Sequence, residues 1–97
     1  MSTRVVASAQ KFIHDNYTAV VAPGATKTAG AGFTINFLYV DNMDTSIDVY
    51  ISFDAGVSYK TIKAGTYFSI ECDGLPSYKI WSASGTPAVE AVYGVEN

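Results

Sequence analysis

Ser46-Ile47-Asp48-Val49-Tyr50-Ile51-Ser52-Phe53-Asp54 alternates residue by residue between two faces. Ile47, Val49, Ile51 and Phe53 fall on one side, and Asp48, Tyr50, Ser52 and Asp54 on the other. A period of two is the mark of a strand with one face buried. Working outward, the same period recurs. Phe33, Ile35, Phe37 and Tyr39 alternate with Thr34, Asn36, Leu38 and Val40, with apolar residues on both faces towards the end. Phe68, Ile70 and Cys72 alternate with Tyr67, Ser69 and Glu71, and Val89, Ala91, Tyr93 and Val95 with Ala88, Glu90, Val92 and Gly94. Weaker strand patterns cover residues 57–63, 77–83, 17–22 and 5–13. The last of these also carries Val5, Ala9 and Ile13 at helical spacing, but Val6, Ser8, Gln10 and Phe12 fit a strand, which we prefer.

Turn chemistry separates these runs. Asp54-Ala55-Gly56 and Ala64-Gly65-Thr66 read as hairpin turns, each with a glycine for the positive-φ position. Asp41 to Thr45, Asp73-Gly74-Leu75-Pro76 and Ser84-Gly85-Thr86-Pro87 complete the set. Residues 23–32 are small and read as a flexible surface loop. Seven to eight short strands without a convincing helix predict one all-β domain over residues 1–97. A small antiparallel β-sandwich of jelly-roll or Ig-like architecture is expected, with a small barrel as the alternative.

Composition excludes several function classes. The chain has 6 basic and 9 acidic residues, a net charge of −3, and its cations are scattered. Nucleic-acid binding needs clustered cations, and a polybasic membrane patch needs the same. No run approaches the length of a membrane-spanning helix, and no apolar stretch near Met1 resembles a secretory signal. Synthesis in a cytoplasm is therefore expected. With 48% apolar and only 15% charged residues the chain folds, and its uncharged surface is cheap to desolvate, as protein contact requires. A chain of this size buries only about two-thirds of its unfolded surface, so partners would add to its stability.

Catalytic and metal constellations are not assembled by these residues. His14 and Cys72 are the only His and Cys, too few for a zinc set. His14 reads as a structural or surface residue, and Cys72, in phase with Phe68 and Ile70, as a small core residue. Asp41-Asn42-Met43-Asp44 and Asp73-Gly74 lack calcium-loop spacing and read as turns. Asp48 and Glu71 fall on solvent faces with nothing pairing them as acid and base. The glycines precede no helix that would cradle a phosphate. We therefore expect no enzyme and no cofactor. Aromatics on outward faces remain: Tyr50 and Tyr67 by their period, with Tyr59 and Trp81 as further candidates for an interface or for stacking on sugar rings.

Two longer stretches carry a resemblance. The first is Val49-Tyr50-Ile51-Ser52-Phe53-Asp54-Ala55-Gly56-Val57-Ser58-Tyr59-Lys60-Thr61-Ile62-Lys63-Ala64-Gly65-Thr66. It is followed by Tyr78-Lys79-Ile80-Trp81-Ser82-Ala83-Ser84-Gly85-Thr86-Pro87-Ala88-Val89-Glu90-Ala91-Val92-Tyr93, read as a closing hairpin. This succession of turns and periods, about half the chain, resembles the small β-sandwich capsid decoration (cement) proteins of tailed bacteriophages. The resemblance implies a protein on the capsid exterior of a virion that binds the major capsid protein, forms a dimer or trimer, and braces the DNA-filled head. The interface expected on the argument from faces comprises Tyr50, Tyr59, Tyr67 and Trp81, together with Arg4, Val6 and Phe12 of an N-terminal segment, 4–13, packed on a neighbouring subunit. The alternatives are a carbohydrate-binding or fibre-tip domain that holds surface glycans, or a head–tail or baseplate accessory.

Overall fold

A computed structural model describes residues 11–30 and 32–96. Eight strands lie among them: β1 (Lys11–Thr18), β2 (Ala25–Thr28), β3 (Thr34–Asn42), β4 (Val49–Ser52), β5 (Lys60–Ile62), β6 (Tyr67–Leu75), β7 (Ser77–Ser82) and β8 (Ala88–Glu96). They form two four-stranded antiparallel sheets, β1-β8-β3-β6 and β2-β7-β4-β5. This is the strand order of a jelly roll, the first of the two architectures expected. Inward side chains of both sheets make one core. Ile35, Leu38, Val40, Val89, Ala91 and Val95 come from the first sheet, and Val49, Ile51, Ile62 and Ile80 from the second. Burial of these branched side chains between the layers is the main favourable term.

The alternation holds in β8, where Val89, Ala91, Tyr93 and Val95 are buried, and over the first three residues of β4, where Val49 and Ile51 are buried; Ser52, expected on the outward face, is buried as well. The alternation in β3 does not hold. Its register slips between Ile35 and Phe37 against both neighbours: Asn36 is an extra residue against β8, while three residues of β6, 72–74, stand opposite it on the other side, and the faces of β3 exchange beyond it. Ile35 points inward, but the buried residues that follow are Leu38, Val40 and Asn42, while Phe37 and Tyr39 turn outward. Asn36 is itself buried, and its Nδ2 donates to Glu96 Oε1 at 3.0 Å.

Several expectations are corrected. Of the strand expected at 5–13, residues 11–13 are strand and 5–10 lie outside the described residues, as do all of residues 1–10; the strand expected at 17–22 is corrected, since β1 runs over 11–18 and ends before Ala19. Residues 23–32 are not wholly loop, because 25–28 form β2, paired in register with β7. Its residues give no apolar alternation, and it pairs with the edge of β7 that β4 leaves open. The turn expected at 73–76 is not one, because residues 73–75 end β6 and Pro76 alone leads to β7; this link and the turns at 64–66 and 84–87 do not close hairpins but carry the chain from one sheet to the other, and β4–β5 is the one sequential hairpin of the described strands. The closing hairpin read over 78–93 is therefore a crossing between layers.

Phe68, Ile70 and Cys72 belong to β6, an edge strand, and are only partly covered. Ile70 is 38% exposed and Cys72 is half-buried, so Cys72 is not a full core residue. Phe53 lies beyond the end of β4 and is exposed rather than buried. The opposite flank is closed by tyrosines. Tyr78 meets Tyr93 edge-on at 5.9 Å, and its hydroxyl lies 3.4 Å from that of Tyr17. Burial pushes the hydroxyls of Tyr17 and Tyr78 well above the usual phenol range. Lys27 seals this flank, with its ammonium 4.0 Å from the Tyr17 ring centroid and 3.3 Å from Asp15.

Candidate functional site

β4 and β7 are neighbours, and their register sets Tyr50 directly opposite Trp81. Both have outward parity, since Val49, Ile51 and Ile80 take the inward positions. Opposed residues on one face of a sheet touch, and the two rings lie 5.7 Å apart. Tyr59, in the loop before β5, completes the cluster: its ring meets Tyr50 at 5.0 Å and Trp81 at 5.5 Å, both edge-on. The Lys79 ammonium stands 5.9 Å from the Trp81 ring centroid. Tyr59 is 60% exposed. The result is an aromatic face with one cation at its margin, on the outside of the second sheet.

The loop that presents Tyr59 is fixed by Asp54. Its carboxylate accepts from the Ser58 hydroxyl at 2.5 Å, the Ser58 amide at 2.9 Å and the Ser52 hydroxyl at 2.7 Å. Ser52 Oγ accepts in turn from the amides of Gly56, at 2.8 Å, and Asp54, at 3.3 Å. Between them Ala55 and Gly56 both take positive φ, 61° and 91°. The Ser58 and Ser52 hydrogen bonds favour the ionised carboxylate and lower the Asp54 carboxyl from 3.8 to about 2. A depressed folded value means that this order is present above the ordinary range and lost as pH falls through the folded value. Tryptophan fluorescence and near-ultraviolet dichroism should therefore hold their native values as pH falls through 4 and change near pH 2. Asp54→Asn should remove that acid transition; an unchanged transition in the variant would assign it to another carboxylate.

The expected interface residues separate into three places. Tyr50, Tyr59 and Trp81 come together. Tyr67 lies on the outer face of the other sheet, where it stacks on Tyr39 at 5.4 Å. Phe12 is exposed on the edge strand β1. Arg4 and Val6 lie outside the described residues. Lys79 and the Ser52–Asp54–Ser58 network were not singled out from sequence, although Lys79 shares its parity with Trp81. Gly24 was also missed; it passes directly against the backbone of β7 beside Trp81.

Asp44 accepts from the Ser46 and Ile47 amides at 2.9 and 2.8 Å, as a turn carboxylate does. Asp48 Oδ1 accepts from the Ala64 amide at 3.1 Å. His14 is exposed on β1. Cys72 is held above the usual thiol range by burial, the opposite of an activated nucleophile. Among the described residues no three His, Cys, Asp or Glu side chains are grouped to hold a metal ion, and no helix is long and apolar enough to cross a membrane. In comparisons with known proteins, no protein-family model and no curated protein sequence matches the chain.

Proposed function

We propose that this chain is a non-enzymatic structural virion protein, a capsid decoration protein that binds the outer surface of a phage head and stabilises it. The observation that carries the reading is the Tyr50–Tyr59–Trp81 face. Large, rigid aromatic side chains give up little rotamer freedom on binding and dominate contact energies when they are central to an interface. The loop bearing Tyr59 is held by the Asp54 hydrogen bonds before any partner arrives, which lowers the ordering cost of docking. The resemblance of residues 49–66 and 78–93 to cement proteins in their succession of strands and turns supplies the partner class, the major capsid protein, although the second stretch crosses between sheets and does not close a hairpin. A rigid sandwich seated across two capsomers would resist their separation.

The test uses heads purified without the protein, to which purified chain is added and counted by quantitative mass spectrometry. Wild type should saturate at copies on the order of hundreds per head. Tyr59→Ala, which truncates the most exposed ring of the three, should weaken binding by about 30-fold, the equivalent of about 2 kcal/mol for a central aromatic anchor. Failure of the wild-type chain to bind heads would overturn the reading. Jelly rolls also serve as lectin domains, so binding to a glycan array that is lost in Trp81→Ala would replace it with the carbohydrate reading.

A further inference from the structure

A jelly roll has four sheet edges, here β1, β6, β2 and β5. Exposed edges invite pairing with other chains unless they are short or carry inward charges. Three of the four meet that condition. β5 has 3 residues and carries Lys60, and β2 has 4 and carries Lys27. β1 places Asp15 on its inward face, paired with Lys27. β6 differs: it has 9 residues, its inward row is Phe68, Ile70 and Cys72, and no described strand pairs with its outer edge. Its irregularity against β3 is confined to the end beyond Glu71, leaving residues 67–71 regular. Beside that stretch, Phe53, Ile70, Glu71, Cys72 and Leu75 line a largely apolar groove of about 190 Å³, and Phe53 stacks on Phe68 at 6.2 Å.

We infer that β6 is a self-pairing edge: two copies join antiparallel through residues 67–71, making one eight-stranded sheet across a two-fold axis at Ser69. The sequence of the strand selects a second copy of this chain as occupant. With the axis at Ser69, Phe68 faces the partner's Ile70, Tyr67 faces the partner's Glu71, and Ser69 faces its own equivalent. Apolar side chains then oppose apolar ones on the core side. On the outer side a phenol meets a carboxylate, and no like charges are opposed. A register displaced by one residue from the symmetric pairing would set Ile70 against a polar partner, so the strand tolerates few alternatives. The seam runs beside the Phe53–Leu75 groove and covers it. This inference does not depend on the capsid reading, since the aromatic face lies on the other sheet.

Light scattering after size exclusion tests it on the intact chain. The expected mass is twice 10.3 kDa at micromolar concentration. Ile70→Lys places a charge on the inward row of an exposed edge and should give a monomer with an unchanged far-ultraviolet spectrum. Ser69→Cys in a Cys72→Ser background should crosslink into a covalent dimer under mild oxidation, because opposed residues of an antiparallel pair stand within disulfide reach. A monomer at every concentration, a trimer, or a dimer that survives Ile70→Lys would overturn the proposal.

Discussion

Asn42→Ala is expected to lower the stability of this domain by about 3 kcal/mol, and its melting temperature by more than about 10 °C. Asn42 ends β3, and its side chain is fully buried. Its amide donates to two carbonyls, Ile47 at 2.8 Å and Ile62 at 2.9 Å, while its Oδ1 accepts from the Asp44 amide at 3.1 Å. Ile62 belongs to β5 in the opposite sheet and Ile47 to the crossing that leads there, so one side chain joins both layers and the corner between them. The backbone is pinned at the same point, with Asn42 N donating to Thr66 O and Gly65 N to Asn42 O, both at 3.0 Å. Alanine leaves two carbonyls and an amide without their partner, the Ile62 carbonyl fully buried and the other two groups partly so, and each buried group left so costs roughly 1–3 kcal/mol. Asn42→Asp keeps the acceptor but turns oxygen towards two carbonyls, and should be at least as damaging at neutral pH. Thermal and urea melts measure both; a shift below about 3 °C in the alanine variant would mean that water takes over the hydrogen bonds.

What could be read from the residues, and what could not, follows from the range of the interactions involved. β4 and β8 declare themselves because Val49 and Ile51, or Val89 to Val95, keep one face throughout. The bulge at Asn36 is a single inserted residue, and nothing local distinguishes it from its neighbours, so the face of Leu38 and Val40 is misassigned while the strand itself is found. β2 is built from Ala25, Thr26, Lys27 and Thr28, whose threonines suit a strand but which show no alternation of large apolar side chains; its existence depends on β7, some fifty residues on. Gly-containing turns serve a hairpin and a corner equally well, so the chemistry of 64–66 and 84–87 identifies a turn without saying which sheet comes next. The same limit applies to the site. Parity placed Tyr50 and Tyr67 outward, but only the β4–β7 pairing brings Trp81 against Tyr50, and only the β3–β6 pairing carries Tyr67 to the opposite sheet.

Gly24→Ala should be the most damaging small substitution in the second sheet, costing more than about 3 kcal/mol. Gly24 has φ +71°, and its Cα lies so close to β7 that a methyl group there would overlap the Ile80 carbonyl oxygen and stand 2.6 Å from Trp81 Cβ. The Ile80 oxygen is backbone of a strand paired on both sides, so it cannot swing away. β2 would have to move off instead, opening its pairing with β7. The conformational part of this cost can be separated from the steric part. Gly65 has a similar φ, +74°, but open space where its Cβ would be, so Gly65→Ala should cost only about 1–2 kcal/mol, the strain of a left-handed backbone for an L-residue. The difference between the two variants measures the close approach itself. Trp81 is the sole tryptophan, so its emission reports on the neighbourhood directly and should shift in Gly24→Ala but not in Gly65→Ala. Because a methyl group at Gly24 would press on Trp81 Cβ, Gly24→Ala should also disturb the aromatic face without touching any of its rings. Equal melting temperatures for the two variants would show that β2 yields to the added methyl group without cost.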